Sequence, residues 1–240
     1  MQWFGGTELV LVIAHRGASG HCPENTMRAI EEAIMLGSDV VEVDLKMTVD
    51  GHIVLMHDDF VDRTTNGKGR VDHMTMEQIR ELDAGEGEKV PLLSEVLERY
   101  EESKAKFMLD VGNNGFERRL VELVKSFHFE ERTIFSGVHG ALALIKSLEP
   151  KLMIAPSFGR ASREGVLKAV SMGAEIYNCD HRSISRDLVE MAHRSGLQIV
   201  VWVVNGIEEM KRMIEMGVDG ITTNNPDVLV RLRQHSSFMS

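Results

Sequence analysis

The sequence predicts an α/β chain folded as a (β/α)8 TIM barrel, and three observations carry that expectation. First, one pattern returns four times: a helical segment, a glycine, then a short β-branched run. It appears in AIEEAIMLGSDVVEVD, GVLKAVSMGAEIYNCD, DLVEMAHRSGLQIVVWVV and EEMKRMIEMGVDGITTN. The glycine suits the left-handed residue that closes a helix. Strands that alternate with helices and read as near-continuous Val and Ile belong to a parallel sheet covered by helices. Second, 240 residues are enough for one such ring, whose usual length is about 250 residues. Third, no G-x-G-x-x-G follows the first apolar run, which weakens the alternative of an open doubly wound sheet.

Nine runs qualify as strands, at 9–14, 40–45, 53–57, 107–111, 133–136, 151–155, 175–178, 198–204 and 220–223. A ring of eight leaves one of them outside. Residues from about 58 to 91 break the rhythm. TTNGKGRVD is rich in turn formers and TMEQIREL is a short helix, so the stretch reads as an insertion after the second strand region, within a single domain spanning 1–240. MQWFGGTELVLVIAH has no basic start and only a short apolar run, so it reads as a first strand and not as a signal peptide. No stretch approaches about 18 consecutive apolar residues, and the tail LVRLRQHSSFMS shows no lipid-docking stripe. The expectation is a cytoplasmic protein with no stable membrane anchor.

Hydrophobic residues make up 43% and charged residues 27% of the chain, as in ordinary globular proteins. A net charge of −10 argues against nucleic acid as a partner. Cys22 and Cys179 form no C-x-x-C pair and imply neither a zinc site nor a disulfide framework. Nothing in the sequence sets an oligomeric state.

In a parallel barrel, chemistry sits where strands end. The first strand ends in His15-Arg16-Gly17, a base beside a cation, which suits phosphate. The second carries Glu42, Asp44 and Lys46 on one face, since residues two apart on a strand point the same way. Two inward acids repel each other and call for a cation or a proton. A divalent ion answers this, and oxygen-only ligands favour Mg²⁺ or Ca²⁺ over zinc. KFMLDV offers Asp110 as a third carboxylate, and the run near residue 55 ends in His57-Asp58. Each feature has a plainer reading. A strand-end histidine can be structural, an acid pair can be salt-bridged, and Asp110 can cap a helix. Asn25 and Thr26 of PENT can be an N-cap, with Pro23 and Glu24 suiting a first turn. Trp202 can be core. The combination of two histidines, three acids and an arginine at strand ends is far more specific than any member.

The blocks HRGASGHCPENT, EVDLKMTVDGHIVLMHDD, DRTTNGKG, LDAG and WVVN…GVDGITTNNP resemble those of the glycerophosphodiester phosphodiesterase family, from about residue 11 to about 230. The resemblance implies a metal-dependent barrel enzyme that hydrolyses glycerophosphodiesters to glycerol 3-phosphate and an alcohol. It assigns His15 and His57 as the acid–base pair and Glu42 and Asp44 as metal ligands. It gives Arg16 to the phosphate, with Glu24 and Asn25 ordering the first loop. One departure stands out. The family's usual Glu-Ile-Lys is here Asp110-Val111-Gly112. Asp110 can still ligate a metal with a side chain one methylene shorter, but one positive charge is lost. Lys46, on the face of Glu42 and Asp44, is the candidate to replace part of it, and Trp202 and the insertion are candidates for a wall against the glycerol. Two other readings stay open: a phospholipase D-like enzyme acting on lysophospholipids or sphingomyelin, and a phosphate-binding barrel without catalysis.

Overall fold

The computed structural model describes residues 9–112 and 115–236. Residues 1–8, part of the stretch read above as a first strand, and the last four residues of the tail lie outside that span. Nine strands occur among the described residues: β1 (Leu11–Ala14), β2 (Val40–Met47), β3 (Ile53–Leu55), β4 (Phe107–Val111), β5 (Thr133–Gly137), β6 (Met153–Phe158), β7 (Ile176–Asp180), β8 (Gln198–Trp202) and β9 (Gly220–Thr223). Eight run parallel in the order β1-β9-β8-β7-β6-β5-β4-β2, and β1 pairs again with β2 through Ile13 beside Val40 and Ala14 beside Val41. That second pairing closes the ring and excludes the open sheet. The strand left outside is β3, which folds back antiparallel on β2 with Leu55 beside Leu45 and Ile53 beside Met47.

Helices α1 (Met27–Met35), α2 (Met76–Glu81), α3 (Leu93–Arg99), α4 (Glu117–Ser126), α5 (His139–Leu148), α6 (Arg163–Ser171), α7 (Arg186–Arg194), α8 (Ile207–Met216) and α9 (Pro226–Ser236) alternate with the strands. All but α2 follow the barrel rhythm. The glycines of the four repeats, Gly37, Gly173, Gly196 and Gly217, all take positive φ at the end of a helix, as the repeat predicts. Thr26 caps α1 by accepting the Ala29 N–H, so part of PENT is indeed an N-cap.

Outward strand residues such as Val43, Phe135, Ile199 and Ile221 pack under the helices in two large clusters. Full burial of such a side chain contributes roughly 1.5–3 kcal/mol. Inside the ring a separate apolar plug is built from Ile13, Val40, Met108, Ile134, Ala155, Ile176 and Val200, one residue from each of seven strands. Two residues further along those same strands stand His15, Glu42, Asp110, Ser136, Ser157, Asn178 and Trp202. The period of two puts them on the same inward face, one layer nearer the mouth. Apolar plug and polar mouth are thus successive layers of one barrel interior.

The insertion has its own small core, in which Val61, Val71, Met76, Ile79 and Leu82 meet Val54 and Met56 of the β3 region. Strand limits shift slightly from the sequence expectation. The run 53–57 ends at Leu55, so His57 lies in the loop beyond β3. The run 198–204 ends at Trp202. The run 151–155 begins only at Met153, because Leu152 still closes the preceding turn on Glu149, and it extends to Phe158.

Candidate active site

The turn after β1 is backbone-strained. Arg16, with φ of 57°, and Asn25, with φ of 57°, both sit in the left-handed region, a conformation that costs a non-glycine residue on the order of 1–3 kcal/mol. Gly17 is forced, since a Cβ there would come 2.5 Å from the Ala29 backbone. Hydrogen bonds hold the strain in place. The Arg16 N–H donates to Glu42 Oε2 at 2.7 Å, and the Asn25 N–H donates to the Arg16 carbonyl at 3.0 Å. The Asn25 side chain then grips Asp44 twice, donating to Oδ2 at 2.8 Å and accepting the Asp44 N–H at 3.1 Å.

His15 meets Asn224 Oδ1 through Nδ1 at 2.7 Å. An amide oxygen only accepts, so Nδ1 carries the proton and Nε2 is left with its lone pair. Burial, and then Arg16, lower the His15 pKa against the opposing pull of Asn224, Asp44 and Glu24. The Arg16 guanidinium donates from Nη1 to Glu24 at 2.8 Å, and its Nε lies 3.1 Å from Asp44 Oδ2.

Three carboxylates line the cavity beside this arginine. Glu42 and Asp44 are buried on β2, and Asp110 stands beside Asp44 in the β2–β4 ladder. Burial, then Asp44 and Asp110, push the Glu42 carboxyl well up. Burial and then Asp44 push Asp110 up to about 6, although it accepts a bond from Ser136 Oγ at 3.0 Å. The second histidine, His57, meets Asp58 Oδ1 through Nδ1 at 2.5 Å.

A cavity of about 280 Å³ opens at this end of the ring. His15, Arg16, Glu42, Asp44, His57 and Asp110 form its charged side, while Ser136, Ser157, Asn178, Trp202 and Thr222 form a neutral side. Of the residues singled out in the sequence, seven therefore share one cavity wall: His15, Arg16, Glu42, Asp44, His57, Asp110 and Trp202. Glu24 and Asn25 stand behind Arg16 and Asp44 and hold them. Lys46 is not brought to the cavity, because its ammonium is paired with Asp59 at 2.8 Å.

Two residues without a role in the sequence reading, Asn224 and Arg63, belong to the assembly. Asn224 sits in the ITTNNP block and sets the His15 tautomer. Arg63 sits in DRTTNGKG and bonds both Glu24 and Asp58. The only signal for either was membership in a recurring block. Among the described residues, no three His, Cys, Asp or Glu side chains stand close enough together to hold an ion as placed.

The sequence pattern of the glycerophosphoryl diester phosphodiesterase family matches residues 15–228. The chain belongs to that family. A glycerophosphodiester phosphodiesterase of Caldanaerobacter subterraneus subsp. tengcongensis is 38% identical over 235 residues, covering 92% of this chain and 97% of that protein. One from Bacillus altitudinis is 32% identical, over 93% of this chain and 98% of that protein. In fold, an Oleispira antarctica phosphodiesterase, solved with sn-glycerol-3-phosphate as product, superposes with a TM-score of 0.85 at 23% identity, covering 97% of this chain and 98% of that chain. The glycerophosphoryl diester phosphodiesterase family is thus shared along nearly the whole chain, and the cavity wall above lies inside the matched span. No helix among the described residues is long and apolar enough to cross a membrane.

Proposed function

We propose that the protein hydrolyses glycerophosphodiesters to glycerol 3-phosphate and an alcohol, with His15 and His57 as the acid–base pair. The observation that carries this reading is the sharing of one cavity by two histidines from the loops after β1 and β3, one arginine and three carboxylates. The product bound to the Oleispira phosphodiesterase supports it.

Both histidines engage Nδ1 with an oxygen, His15 with Asn224 and His57 with Asp58, which leaves each Nε2 for the reaction. Burial, then Arg16, lower the His15 pKa, and the two rings divide the base and acid roles between them. Each such proton transfer contributes typically ~10²–10⁴ in rate. Arg16 lines the cavity with one Nη1 proton committed to Glu24, which leaves Nη2 and the rest of the guanidinium fork for phosphate oxygens.

The donor chemistry suits a divalent cation, and the carboxylates would have to draw together from their present places to hold one. Glu42 Oε2, Asp44 Oδ2 and Asp110 Oδ2 accept hydrogen bonds, while the second oxygen of each accepts none from described residues. Three mutually repelling hard oxygens beside one arginine suit Mg²⁺ or Ca²⁺. Glu42, Asp44 and Asp110 would hold the ion, which when bound stabilises the charge that builds on the phosphoryl oxygens. Lys46 would reach the phosphate only by leaving Asp59. Trp202 walls the cavity opposite the acids.

The test is release of glycerol 3-phosphate from glycerophosphocholine and glycerophosphoethanolamine, in EDTA and then with Mg²⁺, Ca²⁺ or Mn²⁺ restored. Release lost in EDTA and regained with one ion is the expected result. Folded protein that releases nothing under any condition overturns the reading.

A further inference from the structure

We infer that Arg63 is the positioning residue that sets His57, by clamping Asp58 and Glu24 together across the gap between the insertion and the first loop. The inference rests on the role proposed for His57. Arg63 itself is absent from the cavity wall.

The geometry is a fork between two acids. Arg63 donates from Nε to Asp58 Oδ2 at 2.6 Å, from Nη2 to Glu24 Oε1 at 2.7 Å, and from Nη1 to Glu24 Oε2 at 3.0 Å. Glu24 Oε1 also takes Arg16, and Asp58 Oδ1 takes His57 Nδ1. One unbroken chain therefore runs His57–Asp58–Arg63–Glu24–Arg16–Asp44 and joins the loops that deliver the two histidines. Two arginines and two acids between the ends balance in charge. Without Arg63, Asp58 and Glu24 would face each other as like charges, and Asp58 would be released from its place beside His57.

An exposed ion pair usually contributes little, but this one differs in three ways. The contact is a planar fork on two carboxylates, which a point charge cannot reproduce. The stem is fixed, since Arg63 ends a short 3₁₀ turn whose Val61 is fully buried in the insertion core. Both acids are held below their ordinary range. For Asp58 the Arg63 bonds lead; for Glu24 the bonds from Arg63 and Arg16 outweigh burial.

The consequence is a fixed tautomer at His57. Asp58 accepts the Nδ1 proton, so Nε2 faces the cavity. With Asp58 loose, the ring can rotate and exchange its two nitrogens. Misplacement of a reacting group by about 1 Å can cost ~10²-fold in rate, so Arg63→Met and Arg63→Ala should lower kcat by ~10–100-fold while KM holds. Arg63→Lys should recover only part of the loss, and added guanidinium should restore activity to Arg63→Ala. Arg70→Met is the control. Arg70 makes the same kind of fork, on the exposed Asp72 of the insertion, and its loss should leave kcat unchanged.

Nitrogen-15 spectra of the His57 ring supply a readout that needs no substrate. The native chain should show an Nδ1–H tautomer and Arg63→Met a mixture. An Arg63→Met ring that keeps the native tautomer overturns the inference, and so does an unchanged kcat in an active enzyme. Wild-type protein inactive on every diester, with the tautomer shift present, overturns only the proposed reaction and leaves the clamp standing.

Discussion

The acids at the two ends of the barrel are partnered in different ways. At the end where strands begin, acids come with partners. Asp39, just before β2, accepts the Val12 N–H at 2.7 Å and pairs with Arg233. Glu175, before β7, accepts the Ile154 N–H at 3.0 Å and takes Lys146 at 2.6 Å. Asp219, before β9, accepts the Ile199 N–H at 2.7 Å and meets His193. In each case an acid at the head of one strand ties the first turn of bonds in its neighbour and is matched by one base. At the mouth, Glu42, Asp44 and Asp110 line one cavity, and Arg16 pairs there with Asp44 alone among the three. The lesson is that a fold can keep acids for stability by giving each its own base, and keep acids for chemistry by gathering several where bases are fewer.

The largest expected effects fall at the mouth. His15→Ala and His57→Ala should each lower turnover by ~10²–10⁴ or more while thermal unfolding stays close to that of the native chain. Turnover that survives both changes would break the assignment. Next comes a direct contrast. Glu42→Gln should abolish metal-dependent turnover yet raise the melting temperature of EDTA-treated protein by about 2–4 °C, the response of a chain this size to roughly 1 kcal/mol. Glu175→Ala should do the reverse, costing about 1–3 kcal/mol by orphaning the Ile154 N–H with kcat unchanged. Calorimetry and initial rates on the native chain and these two variants would decide it, and a destabilised Glu42→Gln would erase the contrast.

A smaller effect sharpens the same point through pH. Asp110, pushed up to about 6, keeps its proton in the folded chain where the unfolded chain, near 3.8, has lost it. Its contribution to stability is present below the unfolded value and is lost as pH rises through about 6, on the order of 3 kcal/mol in all. Asp58 acts in the opposite sense, since its lowered pKa gives stability that is lost as pH falls. The Asp110 part is therefore read as a difference. In EDTA, Asp110→Asn should gain on wild type as pH rises from 4 to 7. A constant gap in urea unfolding across that range would refute it.

Much of the ring was visible in the chain. The repeated glycines mark helix ends that do take positive φ, and Glu42, Asp44 and Asp110 are legible because charge is conspicuous inside apolar runs. The neutral side of the cavity was not. Ser136, Ser157, Asn178 and Thr222 are small polar residues at strand ends, and turns use the same residue types. The acids that head β2, β7 and β9 were equally silent, because what they cap lies on another strand. His15 and Asn224 are 209 positions apart, and no local pattern links such a pair. Arg63 looked like part of a polar turn, since its meaning depends on Glu24, 39 positions away. Lys46 shares a strand face with Glu42 and Asp44, but the period of two fixes only the direction of departure. A long side chain with an acid within reach finishes elsewhere.

The place of β3 outside the ring has a further consequence. No ladder bond that closes the barrel uses a residue between Met47 and Lys106, whose carbonyl accepts the Val41 N–H. The backbone can therefore be opened at the exposed Glu86 turn without removing a rung. The first piece would hold both histidines, Arg63 and two of the three cavity acids; the second would hold Asp110 and six of the eight staves. Neither closes a cylinder alone. Catalysis would return only when the pieces meet, which makes this chain a natural scaffold for a split enzyme whose turnover reports the joining of whatever is fused to its halves.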